Sequence, residues 1–194
     1  MKRIVIILGI CIVFFASCED DGSTRDNSNT LGSENINNEL PEILAGRPVR
    51  LEVVNEPDVI FPVRDDKDST MFIWKLKTFV KSTNGDIRIT EFGDFVRLDN
   101  GEWKLHNYTG KMFTAKQFEE WYFVNNEGEF TWQNAEKGII KKGIQYVDMS
   151  NWTEKSDSID AHTGIWFFIG IDENGNKVMG YDHYENRAEL QEGS

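Results

Sequence analysis

The sequence predicts a mainly β fold, an antiparallel immunoglobulin-like β-sandwich with one short helix. Three observations point there. Apolar residues alternate in short runs, Asn-Gly pairs punctuate those runs, and helical spacing of apolar residues stands out at one place. Material for a core is present, since Trp, Phe and Tyr make up 12% of 194 residues and prolines number only four. That length suits a single domain plus a tail.

The elements can be justified in chain order. Residues 49–54 hold a first strand candidate. In residues 72–80, Phe72, Trp74, Leu76, Thr78 and Val80 share one side while Lys75 and Lys77 lie on the other, the pattern of a half-buried strand. Asn84-Gly85 follows, and Asn-Gly is favoured in a hairpin because both central residues of a type I′ turn take positive φ. Residues 87–98 are expected to return beside that strand, with a bulge near Gly93, where apolar parity shifts from Ile87 and Ile89 to Phe92 and Val96. Asn100-Gly101 makes the next reversal, into residues 103–108, so the three strands are expected to form a meander.

One helix interrupts the pattern. Thr114 and Gln117 fit a capping box, Phe113 and Phe118 fit its hydrophobic staple, and Phe118, Trp121 and Tyr122 share one face of a helix over residues 115–124. Residues 143–147 suggest another strand. Residues 164–171 are almost continuously apolar, as in a strand buried on both faces, and Asn174-Gly175 turns them into residues 177–181. Asp172 does not open a calcium loop, because His183 stands where the closing Glu belongs. About seven strands at hairpin spacing favour a sandwich, with a lipocalin-like or other antiparallel barrel as the alternative.

The first residues carry an address. Lys2 and Arg3 form a positive start, and residues 4–16 contain no charge. A spanning helix needs about 20 apolar residues, so this shorter run fits a signal peptide instead. It ends in Phe15-Ala16-Ser17-Cys18, which resembles the lipobox of bacterial lipoproteins, with Phe15 where Leu is commonest. The resemblance implies cleavage before Cys18, acylation of Cys18, and attachment to membrane lipid worth about 0.8 kcal/mol per buried methylene. Glu19, Asp20 and Asp21 follow and resemble the surface-export signal of Bacteroidota lipoproteins. That implies the outer face of the outer membrane, with the periplasmic face as the alternative. Asp68-Ser69-Thr70 and Asp157-Ser158-Ile159 resemble the O-glycan acceptor of the same phylum.

The expected organisation is a signal peptide over residues 1–17, a lipidated tether over residues 18–39, and a single β-rich domain over residues 40–194. Between Gly22 and Glu39 only Leu31 and Ile36 offer apolar area, too little to offset the entropy of ordering the chain. Without Lys2 and Arg3, the mature chain keeps 19 of 21 basic residues against 33 acidic ones, a net charge of −14. Such a surface repels phosphate backbones, which argues against nucleic-acid partners. The two cysteines are Cys11 and Cys18, so the mature domain is expected to have no disulfide, thiol nucleophile or cysteine-bound metal.

No catalytic residue, metal ligand or cofactor is expected. Asp160 with His162, and Asp182 with His183, would make an acid/base or metal site only if folding joined them, and His106 stands apart in sequence. HExxH, GxSxG and phosphate-loop patterns are missing. Adjacent acids such as Glu119-Glu120 or Asp65-Asp66 do not set the separation that glycoside hydrolysis needs. Tryptophan stands above background, with six residues. Trp74 and Trp166 sit in strongly apolar strands and are expected in the core. Trp132 and Trp152 sit in polar, loop-like sequence, and with Asn151 they are candidate ligand contacts, since an indole face beside amides can hold a sugar ring or a peptide side chain. The expectation is a non-catalytic outer-membrane or surface binding module for a glycan, peptide or partner protein. A structural or envelope-assembly subunit comes second, and a hydrolase third.

Overall fold

Alternation in the sequence becomes a pair of sheets in a computed structural model, which describes residues 40–126 and 128–190. Cys18, Glu19, Asp20, Asp21 and the tether lie outside the described residues. The strands are β1 (Leu51–Glu56), β2 (Val59–Ile60), β3 (Val63–Arg64), β4 (Phe72–Ser82), β5 (Ile87–Arg97), β6 (Trp103–Leu105) and β7 (Phe113–Thr114). Helix α1 (Ala115–Trp121) follows, then β8 (Phe123–Asn126), β9 (Glu129–Asn134), β10 (Ile139–Ile140), β11 (Gln145–Ser156), β12 (His162–Asp172) and β13 (Lys177–Asn186). One sheet has the order β1-β4-β11-β8-β9, with β3 also on β4. The other has the order β10-β5-β12-β13-β2, with β6 and β7 also on β5. These sheets are antiparallel apart from the short β13–β2 pairing, and they form a sandwich rather than a closed barrel.

Four expectations need correction. Strands β4 and β5 are not a hairpin pair. β4 has β1 and β11 on its two sides and β5 has β12 on one side, so the Asn84-Gly85 turn carries the chain from one sheet to the other. The turn chemistry is still used, with Gly85 at φ 124° and the Ser82 hydroxyl donating to its carbonyl at 2.7 Å. Of the expected meander, only β5 and β6 pair, across Asn100-Gly101. The bulge in β5 is at Thr90 rather than Gly93: Ile169 faces Glu91 and Gly170 faces Ile89, leaving Thr90 as the extra residue, its hydroxyl donating to Ile169 O at 3.2 Å. Trp132 and Trp152 lie in strands β9 and β11, not in loops.

Other local readings match the structure. Helix α1 carries the full capping box, with Thr114 N–H donating to Gln117 Oε1 at 2.9 Å. It stops after Trp121, short of the expected end at Val124, because Tyr122 is extended, which lets β8 begin at once. Strand β12 is buried on both faces. Trp166 and Phe168 enter the core between the sheets, while Ile165, Phe167 and Ile169 enter a second cluster with Leu44 of the entering segment. Phe92, Phe118, Tyr122 and Phe168 are fully buried in the central core.

The two sheets meet along β1 and β13. Arg50 N–H donates to Met179 O at 2.9 Å before the chain turns into β1 and joins the other sheet. The approach leaves no room at Gly180, where an added Cβ would lie 2.4 Å from Leu51 O. Gly180→Ala is therefore expected to destabilise the domain by about 1–3 kcal/mol, because the obstacle is backbone that cannot rotate away. Urea denaturation measures this, and an unmoved midpoint would show that the sheets can part there without cost.

Candidate functional site

Beside helix α1 a cleft of about 650 Å³ opens between the sheets. Trp166 and Asp94 form its floor and are 3% and 1% exposed. Trp121 and Glu120 come from α1, and Phe123, Phe130 and Trp132 come from the β8–β9 hairpin. Phe113 packs edge-on against Trp121 at 4.9 Å, Tyr108 stands beside Trp152, and β11 contributes residues 148–153. Four of the six tryptophans thus line one cavity.

The local fold explains each placement. β9 is the edge of its sheet, and Trp132 stands on it 81% exposed, touching Phe123 and Phe130 edge-on at 5.4 and 5.0 Å. A side chain this apolar and this exposed marks a contact surface better than a core. Trp152 follows a bulge in β11, where Asp148 faces Thr78 but Asn151 already faces Leu76. Its indole stacks on the Tyr108 ring at 5.8 Å.

Trp132, Trp152 and Asn151 share this cleft, but Asn151 has a different job. Its Nδ2 donates to Thr78 Oγ1 at 2.7 Å and its Oδ1 accepts from Trp152 N at 2.8 Å. The Thr78 hydroxyl in turn donates to Asn55 Oδ1, and Asn55 N–H donates to Asp182 Oδ2. This polar chain runs from β13 through β1 and β4 to β11. It holds the bulge, and Asn151 is a positioning residue for Trp152.

Sequence reasoning missed Asp148. Tyr146 points into the core and Asp148 follows it by two along a strand, so a carboxyl at inward parity is the signal that was present. Burial pushes Asp148 up to about 6, and the opposing Ser150 N–H, donating at 2.9 Å, only partly offsets this. Its folded pKa lies above the unfolded value of 3.8, so the charge costs stability above pH 6 and the cost fades as pH falls toward 3.8. Asp148→Asn keeps the Ser150 acceptor. It is expected to stabilise the domain by about 1–2 kcal/mol near pH 7.5 and hardly at all near pH 4, as read by denaturant melts.

Behind the floor lies a buried polar cluster. Asp94 Oδ2 accepts from Tyr184 O–H at 3.0 Å and lies 3.3 Å from His106 Nδ1. Space for the Tyr184 phenol comes from Gly164, whose added Cβ would sit 2.3 Å from it. The His106 and His162 rings are 5.4 Å apart, and His162 lies 3.4 Å from the buried Glu154 Oε2 and 3.0 Å from Asn186 Nδ2. Folding therefore brings His106 and His162 together, each beside its own acid. It leaves His183 exposed beside Tyr181, and no trio among the described residues is placed to hold a metal ion.

The two rings are pulled in opposite directions. The Asp94 hydrogen bond raises His106, while burial, then the nearby His106 charge, pushes His162 down to about 4. A neutral His162 contributes stability that is present above pH 6.5 and is lost as pH falls toward 4. Imidazole NMR titration is expected to show His162 neutral throughout the range where His106 gains its proton. Titration of the two rings together would contradict this environment.

Of the remaining expected residues, Asp65 is buried while its neighbour Asp66 is exposed. Asp65 is bonded to Lys155, and Glu120 lies 3.7 Å from Lys116 one helical turn away. Ser69 and Ser158 are exposed.

No protein-family model matches the chain, and no curated protein matches it. Among solved structures it is similar to the "X-ray structure of Northeast Structural Genomics Consortium target SoR45", with a TM-score of 0.40 and 9% identity over 76% of this chain and 88% of that one. A likeness of that degree carries no argument about function. Among the described residues, no helix is long and apolar enough to cross a membrane.

Proposed function

We propose that the chain is an outer-membrane lipoprotein, anchored through acylated Cys18, whose β-sandwich is a non-catalytic binding module. The observation that carries the binding role is the tryptophan-lined cleft with Trp132 exposed at its rim. Its volume of about 650 Å³ falls in the range of small-ligand sites and suits one or two sugar rings or a peptide side chain. Support for the anchor comes from the lipobox-like Phe15-Ala16-Ser17-Cys18, and support for the outer face comes from Glu19, Asp20 and Asp21.

A structural or envelope-assembly role is the second reading. It is favoured by β9, which is an edge strand among the described residues and whose backbone can receive a strand from a protein partner. Crosslinking from position 132 in intact cells separates the two readings, since a stoichiometric envelope protein captured there supports assembly.

Two outcomes are expected. Cys18→Ala should abolish incorporation of labelled palmitate and release the protein from the membrane fraction, whereas retained labelling would refute the anchor. On glycan and peptide arrays, Trp132→Ala and Trp152→Ala should each weaken binding about tenfold or more, roughly 1.4 kcal/mol. The Trp132 variant should melt like the parent because its indole is exposed, so unchanged binding in a folded variant would remove it from the site.

A further inference from the structure

The cleft is electrostatically one-sided. Among the described residues three carboxylates line it, Asp94, Glu120 and Asp148, and no Lys, Arg or His does. Two of the three already have company. Asp94 is held by His106 and Tyr184, and Glu120 by Lys116. Asp148 has one hydrogen bond, from Ser150 N–H, and no cationic partner among the described residues. A half-buried carboxylate without a counter-charge is a costly arrangement in a wall otherwise made of rings. Water reaches it through the open mouth, and a ligand that displaced this water would have to replace its compensation.

We propose that the cleft selects an alkylammonium group on an apolar stem, the chemistry of a lysine side chain in a peptide, with the ammonium set against Asp148 and the stem along the indole walls. The proposal rests on the binding-module reading and names its ligand class. Complementarity of charge argues for the cation, and indole faces add to it, because an ammonium is drawn to the negative face of an aromatic ring. The stem argues for lysine over an amino sugar. Sugar hydroxyls need hydrogen-bond partners, and the Asn151 amide is engaged with Thr78 and Trp152, whereas a methylene chain needs only apolar wall. Anionic ligands are disfavoured by the same three carboxylates.

The test uses the mature chain with labelled tryptophan indoles, followed by NMR. The probes are the pentapeptide Gly-Gly-Lys-Gly-Gly, its norleucine counterpart with the same stem and no charge, glucosamine, and glucose. The lysine peptide is expected to shift the Trp121, Trp152 and Trp166 indole signals and to bind at least tenfold more tightly than the norleucine peptide. In Asp148→Asn, which keeps the Ser150 acceptor, that tenfold preference should vanish while the norleucine peptide binds as before. Preference for norleucine, or a lysine preference that survives Asp148→Asn, overturns the role given to Asp148. Glucosamine binding in place of the lysine peptide overturns the peptide source. If glucose shifts the same signals without regard to Asp148, the binding module stands and the cation inference falls. If no probe shifts any cleft indole up to about 10 mM, both fall.

Discussion

Phe92 is fully buried and its ring meets five others at centroid distances of 5.2 to 5.8 Å. They are Phe113 of β7, Phe118 and Trp121 of α1, Tyr122 at the helix end, and Phe168 of β12. The contacts with Phe118, Trp121 and Tyr122 are edge-to-face, the arrangement in which ring quadrupoles attract, worth about 0.5–1.5 kcal/mol per pair beyond area burial. The described residues contain no cysteine, so this domain relies on such packing rather than on disulfides. Phe113 and Trp121 also line the cleft. One wall of the candidate site is therefore the outer side of the core, and it cannot close or widen without disturbing the rings beneath it.

The opposite wall depends on a different device. A bulge in β11 just after Asp148 places Asn151 and Trp152 where a regular strand would have put other faces, and the chain of hydrogen bonds from Asp182 through Asn55 and Thr78 holds it. Buried polar groups of this kind are stabilising only when all are satisfied, and here each partner is supplied by a neighbouring strand. The fold spends polar residues on fixing an indole and leaves one carboxylate, Asp148, without a counter-charge. Packing and electrostatics thus converge on the same cavity from opposite sides.

Much of the fold was legible because it is written in local chemistry. The Thr114–Gln117 box, the Asn174-Gly175 hairpin and the two-faced burial of β12 each need only a few neighbouring residues to be read. Sheet membership was not legible. The residues around Asn84-Gly85 specify a reversal but not whether the two strands pair, which is decided by β11 and β12 far along the chain. The parity shift in β5 was visible, yet Gly93 drew the bulge away from Thr90, whose hydroxyl stabilises it. Trp132 and Trp152 were legible as candidate contacts but not as strand residues, because an edge strand and a bulged strand both lose the clean alternation that marks a half-buried one. The contact of the His106 and His162 rings joins parts of the chain far apart in sequence, which no spacing rule connects.

Fold and cleft share one aromatic core, and urea denaturation of Phe92→Leu tests this most directly when followed by two signals. Tryptophan fluorescence reports mainly on the cleft, and far-ultraviolet circular dichroism reports on the sheets. The shared core predicts that both transitions move together to lower urea, remaining coincident as in the parent. A fluorescence transition that moved while the circular dichroism transition stayed in place would contradict it, because the cleft would then be a separate layer resting on an independently stable sandwich.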